Sequence, residues 1–135
     1  MSWFHTVSVP QLNRVLTANA VFSLCSGLIL LAAAEPLAAL LGAGAPLLYR
    51  IVGAGLLLFA ADIVWHVRKG LSFAKGLYFV LGDFLWVAAS AYLLFARPHV
   101  FSAEGRLIMG LVALIVLGFG ACQDVYLFRA RRAPA

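Results

Sequence analysis

Residues 107–128 read LIMGLVALIVLGFGACQDVYLF, an apolar run of 22 residues with one charge, Asp124. A helix that crosses the hydrocarbon core of a bilayer needs about 20 mostly apolar residues, each adding ~1.5 Å. This stretch meets that requirement, and residues 15–34, 47–67 and 76–95 meet it as well. The breaks between them are chemically clear. Glu35-Pro36 and the Gly42–Pro46 turn separate the first two runs, Arg68-Lys69-Gly70 closes the second, and Arg97-Pro98 closes the third. The expected fold is all-α: one domain over residues 1–135, an integral membrane four-helix bundle.

The whole chain agrees. It has 135 residues, 64% hydrophobic and only 11% charged, with a mean hydropathy of +1.02. Soluble domains are roughly half apolar and a quarter charged. A chain this short has no interior large enough to hide so much apolar surface from water. The net charge of +5 does not point to nucleic acid, because the ten basic residues fall in short clusters between the apolar runs. Arg14, Arg68, Lys69, Lys75, Arg129, Arg131 and Arg132 lie at one end of the expected spans; Arg50, Arg97 and Arg106 lie at the other. The positive-inside rule puts the larger group in the cytoplasm, so both termini are expected there, in an inner (plasma) membrane.

Smaller signals refine this picture. Ser8-Val9-Pro10-Gln11 has the form of a capping box, with Ser8 as N-cap. Trp3 and Phe4 suit the membrane interface. Residues 37–41 are too few to span and are expected along the outer interface. Ala32-Ala33-Ala34 resembles a signal-peptide cleavage site, but the preceding apolar run exceeds the usual ~7–15 residues. Cys25 and Cys122 show no C-x-x-C spacing and read as buried small hydrophobes.

Each span carries a seam of positions four and three apart, the spacing of left-handed helix packing. The first runs Leu12, Leu16, Asn19, Ser23, Ser26, Leu30, and the second Gly55, Phe59, Asp62, His66. The third runs Gly76, Val80, Asp83, Val87, Ser90, Leu94, and the fourth Gly110, Ala113, Leu117, Gly120, Asp124. One strongly polar residue stands in each. Counted from the nearest cytoplasmic basic residue, Asn19, Asp62, Asp83 and Asp124 all fall roughly 7–12 Å inside the boundary. A charged side chain in the bilayer is costly and normally faces the bundle interior or water.

The candidate ligand- or ion-binding set is therefore Asn19, Asp62, Asp83 and Asp124, with Arg14 and His66 as bases that could pair with the carboxylates. Trp86 joins it through Asp83-Phe84-Leu85-Trp86, which puts Trp86 one turn from Asp83. Asp62-Ile63-Val64-Trp65 repeats the pattern, with Trp65 placed as an interface anchor. Equally, the four polar residues act as glue between helices, or reach out to the cytoplasm. A weak repeat sets Asn19–Ser26 against Asp83–Ser90, and Glu35-Pro36 against Arg97-Pro98, allowing two tandem two-helix units. Across the membrane, Arg50 can pair with Glu35.

Other chemistry is missing. His5, His66 and His99 do not form a facing pair for haem, and no P-loop, Gly-x-Ser-x-Gly or His-Glu-x-x-His motif occurs. No cofactor, metal site or enzymatic activity is expected. In length and span number the chain resembles small four-helix bacterial membrane proteins such as the DoxX-like group, a likeness of architecture that carries no residue or activity with it. Two functions fit. One is binding or transport of a proton, cation or amphiphile through the polar layer, as a homo-oligomer. The other is a non-catalytic accessory subunit of a larger membrane complex.

Overall fold

The computed structural model describes residues 3–7, 9–42 and 44–132. Five α-helices account for most of them: α1 (Pro10–Ala32), α2 (Ala34–Leu41), α3 (Pro46–Lys69), α4 (Phe73–Ala96) and α5 (Ala103–Arg132). Four of these, α1, α3, α4 and α5, are long and apolar enough to cross a membrane. Their outward faces are apolar: Leu58, Leu85 and Phe95 are 73, 72 and 88% exposed, and apolar faces of this extent are compatible with a lipid environment.

The helix ends follow local chemistry. Helix α1 starts at Pro10, whose fixed φ suits the first helical position, with Val9 as N-cap and no side-chain cap. That replaces the expected Ser8 cap; Ser8 itself lies outside the described residues. Helix α1 ends at Ala32, two residues early, and after Ala33 the chain turns into the short α2. Two serines cap later helices. Ser72 Oγ accepts from the Lys75 amide (3.1 Å) and Ser102 Oγ from the Gly105 amide (2.9 Å).

Helix α1 packs mainly along α3, α4 along α5, and α1 on α5 links the two pairs. At one end the N-terminal segment, the α3–α4 connection and the last turns of α5 come together. Thr6–Val7 (β1) pairs antiparallel with Leu71–Ser72 (β2), in register Thr6↔Ser72 and Val7↔Leu71. The Arg131 guanidinium lies 4.5 Å from the Phe73 ring centre and 5.0 Å from that of Trp3. The hydrophobic core occupies this half, built from Leu12, Leu16, Ile63, Phe73, Phe79 and Leu127 among others. At the opposite end α2 is tied to the start of α5. The Ser102 amide donates to the Leu41 carbonyl (3.0 Å), and Ser102 Oγ donates to the Leu40 carbonyl (2.6 Å).

Two of the four expected seams need rotating. On α3 the buried positions are Gly53, Ala60 and Ile63, while Gly55 is exposed. Gly53 lies directly against Gly27 of α1: a Cβ on either would come within 2.8 Å of the other's carbonyl oxygen. On α5 the buried positions are Gly105, Val116, Gly120, Gln123 and Leu127, so Gly120 is common to both readings and Asp124 is not. Nothing lies within 4 Å of a Cβ built at Gly110. Cys25 and Cys122 are free thiols on the outer surface, not buried as expected.

Substituting Gly53 or Gly120 with Leu should destabilise the chain by about 1–3 kcal/mol through overpacking, because backbone or ring atoms already stand at or inside 3.0 Å of the new Cβ. Gly110→Leu should leave the melting temperature in detergent close to that of wild type. Equal losses at all three positions would contradict these helix faces.

Candidate functional site: a buried amide–carboxylate cluster

A carboxylate inside an apolar bundle needs hydrogen-bond donors, since water is not there to supply them. Asp83 of α4 obtains them from two neighbouring helices. Asn19 Nδ2 of α1 donates to Asp83 Oδ2 at 2.9 Å, with Oδ1 at 3.2 Å. Gln123 Nε2 of α5 donates to Asp83 Oδ2 at 2.5 Å. Asn19 Nδ2 also donates to Gln123 Oε1 (2.9 Å), and Ser23 Oγ, one turn along α1, lies 3.4 Å from Asn19 Oδ1. Asn19, Ser23, Asp83 and Gln123 are all buried.

The cluster thus contains one carboxylate, two amides and a hydroxyl. Asp83 has no ion-pair partner among the described residues. Gly120, one turn before Gln123, lets α5 approach: a Cβ there would be 3.4 Å from the Asp83 Cβ and 3.0 Å from the Phe84 ring. Among the described residues no three His, Cys, Asp or Glu side chains gather as metal ligands.

The expected four-residue layer divides. Asn19 and Asp83 meet as anticipated. Asp62 belongs to a separate group near the end of α3, where Lys75 Nζ is 2.7 Å from its Oδ2 and His66 Nδ1 is 3.0 Å from its Oδ1. His66 Nδ1 also lies 2.9 Å from the Asp62 carbonyl oxygen. Asp62 is about one-third exposed, so this group sits at the edge of the packed helices. Asp124 is half-buried and takes no part in the cluster; its neighbour Gln123 does. Adjacent helix positions differ by ~100° around the axis, which is enough to exchange an inward for an outward face.

The remaining candidates are dispersed. Arg14 is exposed, at the edge of a shallow groove with Ala18, Gly118 and Cys122 between α1 and α5. The Trp86 indole N–H is buried without an acceptor among the described residues. Trp65 is exposed and Lys69 lies over its ring, 5.5 Å from the centre, as suits an interface anchor. Arg50 reaches Glu35 at 3.3 Å, the anticipated pair on the exposed surface. Gln123 and Lys75 are the site residues that the seams alone did not supply. The signal for Lys75 was its closeness to Asp62 across a short turn.

No family model, curated protein or solved structure matches the chain.

Removing the carboxylate should separate the cluster from the rest. Asp83→Leu leaves two buried amides without their acceptor and should cost about 1–3 kcal/mol. Asp83→Asn should cost less, because the Asn19 and Gln123 amides can rotate to exchange donor and acceptor. Asp124→Asn should stay within about 0.5 kcal/mol, because Asp124 takes no part in the cluster and has no ion-pair partner among the described residues. Equilibrium unfolding in detergent measures all three, and a loss at Asp124 as large as at Asp83 would place the wrong residue in the cluster.

Proposed function

We propose that the chain is a non-catalytic subunit of a larger membrane assembly, a four-helix bundle with both termini cytoplasmic in the inner (plasma) membrane. The observation that carries this reading is the burial of the Asn19–Asp83–Gln123 cluster. Its carboxylate is satisfied by side chains of neighbouring helices, and the grooves between α1 and α3 and between α1 and α5 include no cluster residue. A proton or cation path needs groups that exchange ligand with water. Asp62 and Asp124, which would extend the layer into such a path, lie outside the cluster.

The outer face of α5 supports association. A Cβ at Gly110 or Gly118 meets nothing within 4 Å, and Leu111, Leu114 and Ile115 around them are exposed. Gly118 is exposed and Gly110 half-buried; exposed glycine on a membrane helix lets another helix come close, and close packing drives helix association in lipid. The distribution of basic residues supports the orientation, seven at the end that holds both termini and three at the other.

Reporter fusions after Gly70 and at the C-terminus should read cytoplasmic, and a fusion in the Gly42–Pro46 turn external. Purified in mild detergent, the wild-type chain should run in native mass spectrometry as part of an assembly. Gly118→Leu should release it as a monomer of unchanged melting temperature. Asp83-dependent proton or cation flux in liposomes would overturn the subunit reading in favour of transport.

A further inference from the structure

Helices α1 and α3 touch backbone to backbone at Gly27 and Gly53. Towards the other end of the pair, a groove of about 450 Å³ opens on their lipid-facing side. Ala20 and Ala60 are buried in it, and it is walled by Val21 and Leu24 of α1 and by Leu57 and Val64 of α3. The groove exists because the residues along its base are small. On α3 it runs from Leu57 to Lys69, which at 1.5 Å per residue is roughly 18 Å. One leaflet of the hydrocarbon core is about 15 Å deep, half of ~30 Å. The groove therefore matches an acyl chain lying along one leaflet.

Its mouth is cationic. Arg68 and Lys69 line that end beside Trp65. Neither has an acidic partner among the described residues, because Asp62, on the same helix, is engaged by Lys75 and His66. Two cations without counter-charge, above an apolar slot that stops at the Gly27–Gly53 contact, complement an amphiphile with an anionic head and a hydrocarbon tail. We propose that the α1–α3 groove binds one anionic phospholipid, with its acyl chain along Ala20 and Ala60 and its phosphate against Arg68 and Lys69. This site is independent of the assembly reading, since a monomer would retain it.

The test uses the full chain in vesicles of equal parts phosphatidylglycerol and phosphatidylcholine. The protein is extracted in mild detergent, and the lipid it carries is counted by native mass spectrometry. Wild type should retain phosphatidylglycerol in preference to phosphatidylcholine. Arg68→Gln/Lys69→Gln should reduce that preference on the order of fivefold per charge, the worth of one basic residue near an anionic surface. Ala61→Leu, at an exposed position lining the groove, should also reduce it, with both charges in place. Arg129→Gln/Arg132→Gln removes two charges from the same end of the molecule outside the groove and should leave the preference intact. No preference in wild type, or equal losses in the groove and control variants, would overturn the proposal. If the charge variant fails to insert, wild type and Ala61→Leu decide it.

Discussion

The carboxylate of Asp83 is buried and takes its hydrogen bonds from Asn19 of α1 and Gln123 of α5, which ties the relative placement of α1, α4 and α5 to one point. An Asp left facing hydrocarbon near the middle of a span costs about 2.5–3.5 kcal/mol. Two amides on two other helices remove the cost only when all three side chains share a depth and face one another. Apolar helix faces slide past each other with little penalty, because hydrocarbon surrounds them wherever they stop. Asn19, Asp83 and Gln123 allow no such sliding, since a shift of one residue on any helix breaks at least one hydrogen bond.

Helix α3 is held differently. It contributes nothing to the cluster and joins α1 through the glycine contact at 27 and 53 and through the small side chains of Ala20 and Ala60. Close backbone approach substitutes there for polar glue. Each end then has its own fastening. Val7 pairs with Leu71 and Arg131 covers Phe73 at one end, and Ser102 ties α2 to α5 at the other. The fold thus combines a buried polar lock, a tight apolar seam, the Lys75–Asp62 ion pair that joins α4 to α3, and two terminal clasps.

The spans were legible in the sequence because length and hydropathy alone define them. The α4 seam was legible too: Gly76, Val80, Asp83 and Ser90 are all buried, and no competing polar residue stands beside Asp83. On α5 the reading failed where Gln123 and Asp124 are neighbours. Spacings through 113–117–120–124 and 116–120–123–127 are equally regular, and choosing the more polar residue selected the outward face. On α3, Gly55 and Gly53 offered a similar choice, and only the contact with Gly27 resolves it. The separation of Asp62 was hidden for another reason. Depth counted from flanking basic residues puts it level with Asp83, but depth says nothing about direction, and Lys75 draws it to the edge.

The polar lock also has an order in time. Asn19 precedes Asp83 by 64 residues and Gln123 by 104. At ~5–20 residues per second, the first interval lasts roughly 3–13 s of synthesis. The first of the three groups to be synthesised is therefore a neutral amide. The glycine seam between α1 and α3 uses no polar side chain, and both of its glycines precede Asp83 in the chain. The carboxylate follows 64 residues after its first donor, and Gln123 completes the set 40 residues later. Along the chain, the carboxylate of this cluster is therefore made only after the first of its two amide donors.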